Sequence, residues 1–520
     1  AGLHINDWRV DRDGNLLPRF YIHHTVADEQ LISTEEYPLA DVIELKEAEN
    51  WMGLPDGKYL EAEVKLGYRN TYDKVQPVKG FILVHGSEEG YDKISFALGR
   101  DVSKILFTLR EGEWSDKQFL TFKTDRGEKR CVFKAKLIEL SPDGKKLRLY
   151  FTPFCQLDGW SHPAEVAKEL ESIPGLPAKV METSHMLGWI DSQTWLELMR
   201  EENTWLGETA AYLLKKYDWT LFFMHAHAPD HFYHGALNKI DPQVCKDKSI
   251  LEEYSKIEEE MYISLDEMIG KILDAVDEKT LIFIVSDHGA TPTEGRFDKD
   301  FKRFTVSTIL SKAGLLKYKI DEKTGEKVID WSKTKAVPQR SCFIYVNLKG
   351  RDPDGIVEPE EYDQVRDEII NALYNYTDPK TGKKPIVFAL KKEDARILGL
   401  QGDRVGDVIY GIRAEASGEH GRQVTTGEYG VGSMKGLLLM AGPNIKKGYT
   451  LKRTVWLTDV VPTICYLLGL PVPRDVEGAI IYQALENPDY LIEKLETLKR
   501  NYDRLKAAYE SQKSLTHNYE

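Results

Sequence analysis

The stretch Leu281-Ile-Phe-Ile-Val-Ser-Asp-His-Gly289 joins an apolar, β-branched run to a carboxylate, an imidazole and a glycine. Such a run is typical of a strand that is buried on both faces of a parallel sheet. Asp287 and His288 come where this strand should end, and Gly289 lets the chain turn sharply. Because α/β folds place their sites at the carboxyl edge of the sheet, we interpret Asp287 and His288 as candidate metal ligands.

Two further motifs contain the same residue types. Asp230 and His234 stand four residues apart in Ala228-Pro-Asp-His-Phe-Tyr-His-Gly235, and His420 lies in Gly418-Glu-His-Gly421. If Asp230 begins a helix, Asp230 and His234 lie on one face and can bind one ion. Carboxylate and imidazole ligands suit Zn²⁺, and also Mn²⁺ or Fe²⁺. Three neighbouring histidines leave open which imidazoles bind: His225, His227 and His231.

Each of these motifs also has a structural explanation when it is taken singly. An Asp-His pair after a strand commonly caps a turn, and a DxxxH pair is frequent on helices. The combination favours metal binding, because each motif follows a segment that reads as a strand and joins His to Asp or Gly.

The order of the elements predicts the fold class. Residues 219–224 read as a buried strand, residues 250–276 as a long amphipathic helix, and the strand that ends at Asp287 follows at once. A strand–helix–strand unit of this kind usually joins parallel strands of one sheet. We therefore predict an α/β fold with a three-layer α/β/α core and a mostly parallel sheet, plus a β-rich accessory domain.

Further elements follow from periodicity and turn residues. Two alternating runs joined by Ser141-Pro-Asp-Gly144 predict a hairpin of residues 132–140 and 147–151. Asp459 is the expected cap of the last core helix. The remaining predicted helices are residues 163–170, 192–217, 360–376 and 459–468. The remaining predicted strands are 81–84, 104–108, 118–123, 341–346, 385–390, 407–412 and 436–441.

At 520 residues the chain exceeds the roughly 250–300 residues of a single hydrophobic core, so several domains are expected. We place the boundaries where the pattern changes. The predicted segments are 1–157, a β-rich accessory or inserted domain; 158–300, the first part of the metal-binding core; 301–400, a cap-like α/β segment; 401–487, the second part of the core; and 488–520, a helical tail.

Charge and cysteine content exclude some functions. The net charge of −14 disfavours nucleic acid as a partner, because clustered Lys and Arg supply most of that affinity. No run approaches the ~20 apolar residues of a spanning helix, so membrane insertion is not expected. The five cysteines are far apart and form no CxxC motif. We expect a cytoplasmic rather than a secreted protein.

In the order Asp-x-x-x-His, Asp-His-Gly, Gly-x-His-Gly, the chain resembles the alkaline phosphatase superfamily. Within it, the chain is most similar to the type I phosphodiesterase/nucleotide pyrophosphatase branch. The stretches Gly436-Leu-Leu-Leu-Met-Ala-Gly-Pro-Asn444 and Leu457-Thr-Asp-Val-Val-Pro462 resemble the C-terminal strand and helix of that superfamily. The resemblance covers roughly residues 158–300 and 335–480.

The resemblance implies a hydrolase of phosphate mono- or diesters with two divalent metal ions, zinc being the first choice. Asp230, His234 and His420 would hold the first ion, and Asp287 and His288 would complete the second. The family also uses a Thr or Ser nucleophile, placed at a helix N-terminus after the first core strand, together with an Asp from that strand.

No segment of the sequence matches the nucleophile motif. Ser87 follows a predicted strand but lacks the neighbouring carboxylate, while Ser286 and Thr25 are weaker candidates. We therefore expect the nucleophile to come from a segment or a second polypeptide that is not in this sequence, so that the chain is one part of the complete enzyme.

Two other functions remain open on the sequence. One is a non-catalytic structural or binding protein that kept the fold, and the other is phosphomutase or related transfer chemistry. A sulfatase is disfavoured, because no Cys-x-Pro-x-Arg motif is present.

Some residues could contact a small phosphoester substrate. Arg296 and Arg340 could reach a phosphate, although solvated roles are favoured for both. Four tryptophans could stack on a base or sugar, but burial in the core is favoured for such large side chains: Trp160, Trp189, Trp195 and Trp205.

Overall fold

The computed structural model describes much of the chain in both of its compact units. The described residues are 4–5, 25–68, 74–177, 182–242, 244–290, 292, 306–320, 327–339, 342–379, 382–403, 405–413, 423–424 and 435–517. One unit comprises residues 1–275 and 290–430, and the other comprises residues 276–289 and 431–520. Helices and sheets are mixed in the sequence, which agrees with the predicted α/β class.

The N-terminal part of the first unit is built from β-strands. The strands are β1 His4–Ile5, β2 Thr25–Ala27, β3 Gln30–Ser33, β4 Asp41–Val42, β5 Lys46–Glu47, β6 Lys58–Leu66, β7 Val75–Gln76, β8 Val78–Ser87, β9 Gly90–Ala97, β10 Ile105–Arg110, β11 Gln118–Thr124, β12 Gly127–Phe133, β13 Ala135–Leu140, β14 Leu147–Phe151, β15 Phe154–Gln156 and β16 Ser161–His162. They form sheets in the orders β10-β9-β8-β6-β5, β2-β15-β12-β11-β7 and β13-β14-β3-β4, and β1 pairs with β16.

A shared apolar core holds these sheets together. Ile82, Phe96, Phe122, Phe151 and Phe154 are fully buried in it, and Phe151 packs edge-on against Phe96. Burial of large aromatic side chains supplies most of the driving force for packing such short strands.

The hairpin predicted around Ser141 is present, and its first strand is divided. Gly144 closes the turn with a φ of 71°, and its N–H donates to the carbonyl of Ser141 over 2.9 Å. The predicted run 132–140 breaks at Lys134, because the N–H of Lys134 donates to the hydroxyl of Thr152 instead of continuing one ladder.

Five described helices of the first unit follow the β-rich part along the chain. They are α1 Glu165–Glu169, α2 Thr183–Met186, α3 Ser192–Lys216, α4 Ala228–Ile240 and α5 Lys248–Leu273. The carboxylate of Asp191 accepts from the N–H of Thr194 over 2.7 Å, which caps α3. Helix α5 buries the face predicted from its periodicity, including Tyr254, Met261 and Met268.

The C-terminal half contributes shorter elements. The strands are β17 Ile282–Val285, β18 Tyr318–Ile320, β19 Lys327–Ile329, β20 Ala336–Gln339, β21 Phe343–Val346, β22 Ile386–Lys391, β23 Val408–Arg413, β24 Gln423–Val424 and β25 Leu438–Ala441. The helices are α6 Val306–Lys312, α7 Tyr362–Asn375, α8 Val460–Leu468 and α9 Tyr490–His517. In the first unit, one sheet has the order β20-β21-β23-β22, with β24 beside β23.

The second unit contains β17, β25, α8 and α9. Strands β17 and β25 pair antiparallel, with Ile282 opposite Ala441 and Val285 opposite Leu438. Asp459 occupies the N-cap position of α8, as predicted, but its side chain makes no capping hydrogen bond to that helix. Its buried carboxylate instead accepts from the N–H groups of Trp456 and Ala479, which ties the entry of α8 to a later loop.

The mostly parallel sheet that the sequence predicts is not seen in the described residues. The paired strands there are antiparallel apart from β3–β4 and β23–β24. Residues 219–224, predicted as the first strand of the parallel pair, form no strand, since no described segment pairs with their backbone. Strand β17 pairs with β25 instead.

The five predicted domain segments stay a prediction. Within the described residues, no helix is both long and apolar enough to cross a membrane.

Candidate metal centre

Helix α4 brings Asp230 and His234 together in the first unit. Pro229 stands in the first turn, where its missing N–H costs nothing, and Asp230 follows it. A carboxylate in the first turn is stabilised by the helix dipole. One turn later, the Nε2 of His234 lies 3.2 Å from the Oδ1 of Asp230, and both side chains are only partly exposed.

This separation suits two ligands of one ion. Zinc binds imidazole and carboxylate atoms at about 2.0–2.2 Å, and two such ligands in tetrahedral geometry lie roughly 3.3 Å apart. The donor atoms of Asp230 and His234 therefore have both the chemistry and the spacing of a ligand pair.

His231 has a different role from that of His234. It is buried, and its Nδ1 lies 2.9 Å from the Oε2 of Glu182, just before α2. Burial alone would raise the pKa of Glu182, but the hydrogen bond and charge of His231, with the charge of His234, outweigh burial and lower that pKa. This buried pair holds α4 against the segment that precedes α2.

The other imidazoles continue in a row from the start of α4. The ring centroids of His225 and His227 lie 3.8 Å apart, and those of His227 and His231 lie 5.6 Å apart. The ring nitrogen of His234 meets the carboxylate of Asp230 in the first unit.

Packing beneath α4 fixes its position. A Cβ on Gly235 would lie 2.7 Å from the ring of Trp195 and 3.1 Å from the Cβ of Glu182. Trp195 is fully buried between His185 and Phe232, with ring centroids at 4.7 and 5.6 Å. The glycine after His234 therefore lets α4 approach Trp195 and Glu182 closely.

In the second unit, Asp287 and His288 follow β17 as predicted. The Nδ1 of His288 lies 2.8 Å from the carbonyl oxygen of Gly289, so the proton sits on Nδ1 and Nε2 is the atom that can ligate a cation. The Nε2 of His288 lies 3.6 Å from the Oδ1 of Asp287. Asp287 is exposed, which leaves its carboxylate accessible.

Ser286 supports this turn. Its hydroxyl donates to the carbonyl of His288, and its N–H donates to the carbonyl of Leu437 over 2.9 Å. A Cβ on Gly436 would lie 2.7 Å from the carbonyl oxygen of Ser286, so glycine is needed where β25 begins its approach to β17.

The pairs 230/234 and 287/288 belong to different units, and each is described within its own unit. His420, Arg296 and Arg340 lie outside the described residues. Among the residues that are described, no group of three or more His, Cys, Asp or Glu side chains is arranged to hold one metal ion. The five-residue ligand set therefore stays a prediction.

The other residues singled out in the sequence lie in a turn or in the core. Ser87 lies at a hairpin turn, where its Oγ accepts from the N–H of Glu89, and Thr25 is buried in β2. The four tryptophans are buried: Trp160, Trp189, Trp195 and Trp205.

Sequence reasoning missed Glu182 and a second network under α4. Lys239 donates to the hydroxyl of Tyr254 over 2.8 Å, and that hydroxyl lies 2.8 Å from the Nε2 of His185. Burial, and then the charge of Lys239, lower the pKa of His185 to about 4. These partners are distant in sequence and share no periodic pattern, so no local signal marks them.

The comparison with known proteins identifies a family. A family model described as type I phosphodiesterase / nucleotide pyrophosphatase matches residues 128–424, more than half of the chain, a range that includes the candidate residues Asp230, His234, Asp287, His288 and His420. No curated protein and no solved structure matches the chain. The chain belongs to the type I phosphodiesterase/nucleotide pyrophosphatase family of the alkaline phosphatase superfamily.

Proposed function

We propose that the chain is the metal-binding part of a hydrolase that cleaves small phosphate mono- or diesters with two divalent cations. The observation that carries this proposal is the 3.2 Å approach of Asp230 and His234 on one face of α4, in a member of a phosphodiesterase and pyrophosphatase family. Zinc is the cation that these donors fit best, and Mn²⁺ or Fe²⁺ fit the same donors.

In this proposal Asp230, His234 and His420 hold the first cation, and Asp287 and His288 hold the second. The hydrogen bond from His288 to Gly289 supports the assignment, because metal-binding histidines usually donate their other ring N–H to a carbonyl or carboxylate. Bound cations of this kind activate a nucleophile and stabilise the leaving oxygen. The contact of His231 with Glu182 keeps α4 from rotating, so Asp230 and His234 stay oriented.

We propose that the attacking hydroxyl comes from a segment or second polypeptide outside this sequence. Two apolar segments support this idea, because the described residues leave some of their backbone hydrogen-bonding groups without a neighbouring strand. Residues 219–224 pair with no described strand and expose Phe223 by 87%, and β17 has β25 as its one partner among the described strands. An added strand would satisfy such backbone groups and cover apolar side chains.

The test is hydrolysis of p-nitrophenyl phosphate and bis(p-nitrophenyl) phosphate by the zinc-loaded chain, alone and with any co-purifying polypeptide. Asp230→Asn and Asp287→Asn should each lower kcat/KM at least a hundredfold, whereas the exposed Asp218→Asn should leave it unchanged. Zinc binding without turnover in either sample would instead support a binding or structural protein. Phosphoryl transfer to an added alcohol in place of hydrolysis would support transferase chemistry.

A further inference from the structure

Helix α9 carries an apolar stripe that its own unit does not cover. The helix spans Tyr490–His517, and its large apolar side chains are 56–71% exposed. These are Ile492, Leu495, Leu498, Tyr502, Leu505 and Tyr509. Together they expose on the order of 800 Å², which is what each partner of a standard protein interface buries. An exposed apolar stripe of this size marks an interaction surface.

The spacing along this stripe is that of a coiled coil. The pattern begins at the partly buried Leu491, and the exposed apolar positions follow at 495, 498, 502, 505 and 509, which alternates steps of four and three residues. This is the a/d pattern of a heptad repeat, with Leu495, Tyr502 and Tyr509 at a, and Leu491, Leu498 and Leu505 at d. A repeat of 3.5 residues keeps one seam facing one partner helix.

We propose that α9 pairs with α9 of a second copy of this chain as an antiparallel coiled coil. In the antiparallel register that pairs 498 with 502, the seam contains every apolar a and d residue. Leu491 then faces Tyr509 of the partner copy, and Leu495 faces Leu505, so each pair combines leucine with leucine or tyrosine. The polar Gln512 stays outside the seam.

The charges flanking the seam select this arrangement. Lysines occupy the e positions 499, 506 and 513 and the g position 494, whereas the other g positions up to Tyr509 are Asn501 and Ala508. A parallel pair would place Lys494 against Lys499 on both sides. The antiparallel pair sets Lys494 against Ala508, Asn501 against Asn501 and Lys506 against Ile492, which leaves one like-charge contact, between the two copies of Lys499. Because like-charged flanks disfavour a pairing, the antiparallel dimer is preferred.

Sedimentation of the full chain tests the dimer. The parent should sediment at twice its mass of 59.5 kDa at micromolar concentration. The seam variant Leu498→Glu/Leu505→Glu should dimerise at least tenfold more weakly, while Thr497→Glu/Ala507→Glu, with the same added charge on the outer face, should behave as the parent. Leu498→Ala/Leu505→Ala, which retains helix formers, replaces the seam variant if the latter does not fold. A monomeric parent, or equal dimerisation of the seam and outer-face variants, would overturn the proposal.

Cysteine cross-linking tests the direction. The variants Asn501→Cys and Ala508→Cys each place a thiol at a g position, and the parent with its five natural cysteines sets the baseline. In the antiparallel dimer the two copies of position 501 lie near the twofold axis, while the two copies of position 508 lie about 24 Å apart along the helices, roughly 16 residues at ~1.5 Å each. A short bismaleimide should therefore link Asn501→Cys and not Ala508→Cys. Equal linking of both variants would indicate a parallel pair and contradict the proposal.

Discussion

Glu29 is a buried acid at the turn between β2 and β3. Its carboxylate accepts from the hydroxyl of Ser184 over 3.1 Å, at the start of α2. Burial, and then the charge of Asp28, raise the pKa of Glu29 to about 7. The β-rich part therefore contacts the helices through a group that ionises near neutral pH.

The pH dependence of stability follows from this pKa. A carboxyl whose pKa rises on folding binds its proton more tightly in the folded state. Its protonation therefore contributes fully to the free energy of unfolding below the unfolded pKa of about 4.5, and this contribution is lost as pH rises towards 7. The resulting loss in the free energy of unfolding is up to about 3 kcal/mol. Urea unfolding should show Glu29→Gln gaining stability relative to the parent between pH 5 and pH 8. Equal changes with pH in both proteins would contradict this assignment.

Glu182 is the partner that keeps His231 buried. Removing its charge leaves the imidazole without its ionic acceptor, so Glu182→Gln should lower the free energy of unfolding by about 1–3 kcal/mol. Since α4 would also lose an anchor, zinc affinity should fall by about tenfold. Chemical unfolding and competition with a zinc chelator measure the two effects, with the exposed Glu259→Gln as control. Unchanged stability and unchanged affinity would rule out the supporting role.

At the level of elements, glycines show where helices must approach closely. Gly235 in α4 faces the ring of Trp195, whereas a Cβ on Gly270 in α5 would meet no atom within 4 Å. Gly235→Ala should therefore destabilise the protein by about 1–3 kcal/mol through overpacking. Gly270→Ala should stabilise it by up to about 1 kcal/mol, because alanine is the better helix former. Thermal unfolding compares the two variants, and a neutral or stabilising Gly235→Ala would contradict the packing described.

Elements with strong local signals were predictable. Helices α3 and α5 form where they were predicted, and α5 buries the face that its periodicity indicates. The spacing of Asp230 and His234 likewise predicted their contact, because a helix turn fixes which side chains meet. Residues 219–224 show the limit of this reasoning, since their apolar composition favours a strand but a strand also needs a neighbour to accept its hydrogen bonds.

For the whole molecule, the family and the α/β class were predictable from motif order and pattern. The antiparallel pairing of β17 with β25 was not, because periodicity in one strand carries no information about its neighbour. The same is true of Glu182 and His185, whose roles depend on contacts between distant segments. The convergence of the ligand pairs with His420 stays a prediction for this reason.

Zinc stoichiometry tests the central claim most directly. After loading with excess zinc and gel filtration, elemental analysis should find at least one tightly bound ion per chain. His234→Ala and His420→Ala should each lose that ion, and His162→Ala, which removes an exposed histidine elsewhere, should retain it. Less than one ion in the parent, or full occupancy in His420→Ala, would contradict the account.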